Sequence, residues 1–280
     1  MKDEGRRAKE EDRQPSSSLV PHPSSFRVVT YNIHKCRGLD RRVRPGRIAE
    51  VLAEVNADVV ALQEVWSVEG AGGDANQARH IADALGMEYR VGVNRSFKGG
   101  AYGNVVLSRL PVTEHANHDI TWRGREPRGC LRVDIMLGDD SSPLHIFNVH
   151  LGTAFLERRH QGRRLLDRDI LGDADLTGAR IVLGDFNEWT RGLATELLTR
   201  NFNTADPRDH LPRARTYPGL IPFLHLDHIY YDSPLELVAL KLQRSRLALI
   251  ASDHLPLVAD FKLHPASAVP QPSHPPAPRP

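Results

Sequence analysis

Eight short runs rich in β-branched residues recur through the chain: FRVVTYNIH (26–34), DVVALQEV (58–65), NVVLSRL (104–110), CLRVDIML (130–137), LHIFNVHL (144–151), RIVLGDF (180–186), LDHIYY (226–231) and HLPLVADFKL (254–263). Each is short enough for a strand and apolar enough to be buried. Between the first two lies PGRIAEVLAEVNAD, with Ile48, Val51, Leu52 and Val55 at helical spacing and Pro45 at its start. Further helices are expected over DANQARHIADALG, closed by Gly86, over AFLERRHQGRRLLDRDIL and over GLATELLTR. Early strand–helix–strand units thus give way to consecutive strands. That order predicts an α/β (α+β) chain with a mixed sheet or two packed sheets, not a doubly wound parallel one.

The 280 residues suffice for one large core, and a hydrophobic content of 40% with 26% charge is that of an ordinary globular chain. The expected folded body is residues 26–263. The segment 1–25 is charged and Pro/Ser-rich, and 264–280 is Pro-rich, so both are expected to be disordered. A net charge of +2 gives no strong field toward nucleic acid or membrane. Arginine does cluster, in RRVRPGR (41–47) and ERRHQGRR (157–164), which suits either a solvated face or an anionic partner. The N-terminus lacks the apolar core of a signal peptide and no run approaches the length of a membrane span, so a cytoplasmic location is expected, and with it a monomer. For Cys36 and Cys130 a single disulfide is open, with a reduced pair the default in that compartment.

The strands share a habit: they end or begin on residues able to hold a metal or a phosphate. Asn32 and His34 close the first, Glu64 the second, Asn148 and His150 the one near 150, and Asp185 and Asn187 the GDFN stretch. Asp227 with His228, and Asp253 with His254, open the last two. Any one of these is more often a strand cap or an Asx-turn. The ordered set is not explained by capping, and polar groups gathered at one edge of buried strands are what a grafted site requires. Carboxylate and amide oxygens without cysteine are hard ligands that favour Mg²⁺ or Mn²⁺. Glu64, Asn32 and Asp253 would suffice for such an ion, which leaves the histidines to stabilise charge or to move protons.

Taken in order, NIH, LQEV, GDFN and SDH resemble the endonuclease/exonuclease/phosphatase superfamily, and the match spans most of the folded body. The YNIH form, with His34 where exonuclease III-like nucleases carry an acid, resembles a bacterial subgroup. The resemblance implies a four-layer αββα sandwich, two packed mixed sheets flanked by helices. It also implies roles: Asn32, Glu64 and Asp253 at a divalent metal; Asp185 positioning or deprotonating the attacking water; Asn187 donating to the scissile phosphate. His150 would contact a phosphate oxygen or protonate the leaving group. His254 would act on the phosphate or the water, with Asp227 holding its tautomer. Asn104 and Arg128 are further candidates for the substrate phosphate, Arg128 equally readable as a surface arginine opening a strand.

The function implied is a Mg²⁺- or Mn²⁺-dependent hydrolase of phosphodiesters or phosphomonoesters acting on nucleic acid, a phospholipid headgroup or a small phosphorylated molecule, without stable membrane insertion. A DNA-directed nuclease would call for a long basic groove. A lipid-headgroup phosphodiesterase would call for exposed apolar loops, for which Trp66 and Trp122 are in loop-like settings. A silent binding module predicts losses among these positions, and none is lost. A purely structural protein leaves the polar strand ends unexplained.

Overall fold

Along the first strand, β1 (Ser25–Asn32), Phe26 and Val28 join one apolar cluster while Val29 and Tyr31 join another, so the strand is covered on both faces. The computed structural model describes residues 25–138, 143–188, 192–210, 216–218 and 224–263. The expected N-terminal segment, apart from Ser25, and the expected Pro-rich tail lie outside the described residues.

Two six-stranded sheets result. The first has the order β11 (Leu235–Leu242), β12 (Leu257–Leu263), β1, β2 (Val59–Ser67), β4 (Gly100–Ser108), β3 (Glu88–Phe97). The second has the order β5 (Val112–Asp119), β6 (Gly129–Ile135), β7 (Leu144–His150), β8 (Ala179–Asp185), β10 (Asp227–Tyr231), β9 (Asn203–Thr204). Each sheet is antiparallel except for one parallel pair, β1 with β2 and β7 with β8.

The two parallel pairs bring four strands to the same end of the sandwich with polar residues there. Asn32, His150 and Asp185 end β1, β7 and β8, whereas Glu64, expected to close its strand, lies at an irregularity within β2, which goes on pairing with β4 to Ser67.

The sheets pack face to face on a central cluster that includes Val28, Val59, Val106 and Phe261 from one and Val133, Ile146, Leu183 and Ile229 from the other. Outside the first sheet lie α1 (Pro45–Val55), α2 (Gln77–Leu85) and the short α6 (Ala248–Ala251), whose Ile48, Leu52, Ile81 and Ala251 cover Tyr31 and Leu62. Outside the second lie α3 (Phe155–Leu165) and α4 (Leu193–Asn201), with Leu165 and Leu198 over Phe147, Val182 and Tyr230. This is the four-layer sandwich expected, with a further single turn, α5 (Pro207–His210), between β9 and β10. No helix among the described residues is long and apolar enough to cross a membrane.

Several sequence expectations are corrected. Helix α3 stops at Leu165 rather than near Leu171, because Leu171 N–H bonds back to the Leu165 carbonyl and the intervening chain turns under Arg164, which pairs with Asp167 and Asp169. Trp66 is not in a loop. It lies within β2 and donates its indole N–H to the Phe97 carbonyl at 2.8 Å. Cys36 and Cys130 are both buried and unpaired, in the cores on opposite sides of the sandwich.

Polar ties also cross the central layer. Asn148 is fully buried between the sheets, donating to the Leu62 and Val105 carbonyls at 2.9 and 3.0 Å and accepting from Gln63 Nε2 at 2.8 Å. Asn104 does the same from the other side, its amide donating to the Gly129 and Asn148 carbonyls at 3.0 and 3.1 Å. Buried amides with their donors satisfied in this way fix the sheet-to-sheet register.

Candidate active site

At the end of β8 the chain approaches β7 so closely that a Cβ on Gly184 would stand 1.9 Å from the Val149 carbonyl, and Gly184 has φ of +147°. Only glycine fits there. Next to it Asp185 is buried, its Oδ1 accepting the Asn187 backbone N–H at 2.9 Å in an Asx-turn. Asn187 takes a left-handed conformation that asparagine tolerates, and its amide donates to the Leu151 carbonyl at 2.9 Å. Between them Phe186 turns away into the outer core, against His228 and Tyr230.

Asp185 Oδ2 is the centre of the arrangement. Asn32 Nδ2 donates to it at 2.9 Å, and two histidine Nε2 atoms, of His150 and His254, each stand 3.6 Å away. That spacing exceeds a hydrogen bond, so the two rings flank Asp185 without closing on it.

The two histidines are held differently. Arg128 donates to His150 Nδ1 at 3.0 Å, and an arginine can only donate, so His150 carries its proton on Nε2, facing Asp185. Burial, with Arg128 adding to it, pushes His150 down to about 4, leaving it neutral. His254 instead bonds Asp227 through Nδ1 at 3.0 Å, where a carboxylate can only accept. Burial opposes its charge, but Asp227 and Asp185 outweigh burial and raise His254 to about 10, so it is a cation with both nitrogens protonated. Asp227 is fully buried behind it, and its Oδ1 has no partner among the described residues. Asp185 itself is pushed upward by burial, against the pull of both histidines, which makes its carboxylate a stronger base than an exposed one.

On the opposite wall the first sheet supplies oxygens. The pairing of β2 with β4 slips between Leu62 and Val65, and in that bulge Glu64 adopts φ of +58°. A left-handed backbone costs a non-glycine residue about 1 kcal/mol, and strain of this kind collects at functional sites. Glu64 accepts from Lys35 at 2.5 Å and from Asn32 Nδ2 at 3.3 Å. Burial works against its ionisation, but His150, Lys35 and His34 together hold it well below the usual carboxylate range. Lys35 belongs to a turn in which His34, Lys35 and Cys36 all have positive φ, and this turn also sets His34 Nδ1 3.3 Å from Asp253 Oδ2. Burial acts to raise Asp253, but the His34 contact and the nearby His254 outweigh it and lower that carboxylate.

The cleft has a volume of about 470 Å³. Of the residues expected at a site from sequence, Asn32, Glu64, Arg128, His150, Asp185, Asn187, Asp253 and His254 line it together. Asp227 stands behind His254, while Asn104 is not in the lining and is occupied in the tie between the sheets. Arg128 is not a surface arginine: it is buried between His150 and Glu126. Lining residues that sequence reasoning missed are Lys35, Arg95, Glu126, Thr153 and Tyr217, whose ring lies 4.9 Å from that of His254. Lys35 had a signal in following NIH directly, whereas Arg95 lies on a polar strand with no apolar run to mark it. Trp189, just past GDFNE, lies outside the described residues.

A divalent ion can be tested against these donors. Among the described residues no three His, Cys, Asp or Glu side chains form a ready-made all-protein cage. Mg²⁺ does not require one, since it keeps several waters and needs one or two carboxylates. Glu64 and Asp253 offer hard carboxylate oxygens in one cleft, and Glu64 already holds a cation, the Lys35 ammonium, while the Asn32 oxygen, which now accepts the His34 backbone N–H at 3.1 Å, joins them by turning its amide. The donor chemistry therefore fits.

The Endonuclease/Exonuclease/phosphatase family model matches residues 29–254. The uncharacterized protein YbhP of Escherichia coli (strain K12) is 32% identical over 251 residues, covering 85% of this chain and 97% of that protein. Among solved structures, the endonuclease/exonuclease/phosphatase from Beutenbergia cavernae DSM 12333 superposes with a TM-score of 0.67 at 23% identity, covering 86% of this chain and 72% of that one. The mannosyl-6-phosphatase Bt3783 of Bacteroides thetaiotaomicron VPI-5482 also gives 0.67, at 16% identity, covering 84% and 99%.

Proposed function

The chain belongs to the endonuclease/exonuclease/phosphatase family, whose members are in general hydrolases of phosphate esters, and from that premise we propose that it is a divalent-metal-dependent phosphoesterase attacking its substrate in line with an activated water. The observation that carries this reading is the placing of one buried carboxylate, Asp185, between a neutral and a cationic histidine. A base with a raised pKa suits proton abstraction from water near neutrality. Asp185 takes that role. His254, fixed by Asp227, holds positive charge next to the reacting centre, where charge develops on the phosphoryl oxygens. His150 presents Nε2–H as a neutral donor to one of those oxygens, and Arg128 keeps it in that tautomer.

Glu64, Asn32 and Asp253 would hold the ion. When bound it supplies charge neutralisation for the phosphate. Lys35, paired with Glu64, keeps that carboxylate ionised in its absence.

A cleft of about 470 Å³ falls in the range of small-molecule sites. It favours a small phosphorylated molecule or a single headgroup over a length of duplex.

The test is hydrolysis of bis-p-nitrophenyl phosphate and p-nitrophenyl phosphate with Mg²⁺, Mn²⁺ or EDTA. Metal-dependent release of p-nitrophenol from either ester, abolished by EDTA and by Asp185→Asn, is expected. Undiminished turnover in EDTA, or in Asp185→Asn protein of unchanged melting temperature, would refute the reading.

A further inference from the structure

Next to the catalytic groups the cleft has a second cationic feature that the proposed reaction does not use. The pairing of β3 with β4 slips between Val93 and Arg95, leaving Asn94 as an extra residue opposite the partner strand. Such a bulge re-aims the side chain that follows it. Arg95 thereby comes opposite Tyr102, with its guanidinium 4.7 Å from the Tyr102 ring centre and 5.0 Å from that of Phe97. Stacking on two aromatic rings holds the fork rigid, so little freedom is lost when it binds. Arg95 and Tyr102 both line the cleft.

What Arg95 binds in this structure indicates what it is built to bind. Glu126 offers one carboxylate oxygen to Arg95 at 2.8 Å and the other to Arg128 at 2.9 Å. One carboxylate therefore bridges an arginine that contacts His150 and an arginine that does not. The Nε of each arginine is buried without a partner among the described residues, so neither fork is saturated. Glu126 comes from the loop ahead of β6 and is itself exposed. A solvent-exposed carboxylate gains little from its ion pairs, so an incoming anion can take its place at small cost.

Resting on the phosphate-ester reading, we propose that Arg95 forms a second anion subsite beside the phosphate site, with Glu126 as its displaceable occupant, so that the substrate carries a second anionic group next to the ester phosphate. Arg128 is shared between the two subsites, and Tyr102 is the platform that orients Arg95.

The probes are orthophosphate, with one anionic centre, and inorganic pyrophosphate, with two. Their affinities are measured calorimetrically on the full-length protein in EDTA, so no hydrolysis intervenes. Wild-type protein is expected to bind pyrophosphate at least about tenfold more tightly than orthophosphate, the scale of one charge-assisted arginine contact. Arg95→Ala should bring the two affinities within about twofold of each other, with orthophosphate unchanged. Glu126→Gln, which removes the competing charge and keeps the shape, should widen the preference. Equal affinities in the wild type, or a pyrophosphate preference that survives Arg95→Ala, would overturn the subsite while leaving the phosphate-ester reading in place. Binding of neither anion would likewise overturn the subsite, whereas the phosphate-ester reading stands or falls on the metal-dependent hydrolysis of the two p-nitrophenyl esters.

Discussion

His150 and His254 stand at the same distance from the same oxygen of Asp185, yet one is neutral and the other charged. Both are buried, so desolvation alone would lower both. The difference lies behind each ring, an arginine that can only donate against an aspartate that can only accept. Charge state at this site is thus set one residue back from the chemistry, and Asp185 inherits an asymmetric environment with a donor on one side and a cation on the other.

Removing the group the two histidines share should have the largest effect. Asp185→Asn is expected to lower turnover by about 100- to 10,000-fold, the range of a general base, with the melting temperature little changed. The next largest separates the two sides. Asp227→Asn should cost about 10- to 100-fold in turnover by releasing the His254 tautomer, and should bring that histidine down from its raised pKa. On the other side Arg128→Met removes the donor at His150, and the pKa of that ring should rise in a histidine NMR titration, with a loss of turnover of about tenfold. A His150 titration unmoved by this change would mean that burial alone sets its charge.

The smallest effect is on stability, and there the two histidines should act with opposite sign. His150 is held below its unfolded value of about 6.5, so its contribution is present above that pH and is lost as pH falls toward about 4. His254 is held above the same value, so its contribution is complete below about 6.5 and is lost as pH rises through about 10. Thermal melts of metal-free protein should show both limbs. The alkaline limb should flatten in Asp227→Asn and the acid limb in Arg128→Met.

The same contrast between near and far groups governs what could be read from sequence. The eight apolar runs correspond to the eight inner strands, and the four strands without such a run, β3, β5, β9 and β11, are the edges of the two sheets. An edge strand has one neighbour and much of its surface in water: β5 reads VTEHANHD with most of its residues exposed, and nothing in its composition sets it apart from a loop. Strand-end acids and amides were legible because burying them without a purpose is costly. Arg95 and Glu126 were not, since they reach the cleft through a bulge and a loop that leave no periodic trace; Lys35 was marked only by its place directly after NIH, because the left-handed turn that aims it leaves no such trace either. Asn104 and Asn148 looked like the others but tie the sheets together, since a buried amide in a strand reads alike whether its partner is a ligand or a carbonyl.

The asymmetry around Asp185 is tested most directly by nitrogen-15 NMR of the histidine rings in metal-free protein at neutral pH, with His150→Ala and His254→Ala variants to assign the signals. The expected result is one ring, His254, protonated on both nitrogens, and one, His150, protonated on Nε2 alone. Two neutral rings, or the charges reversed, would contradict the account.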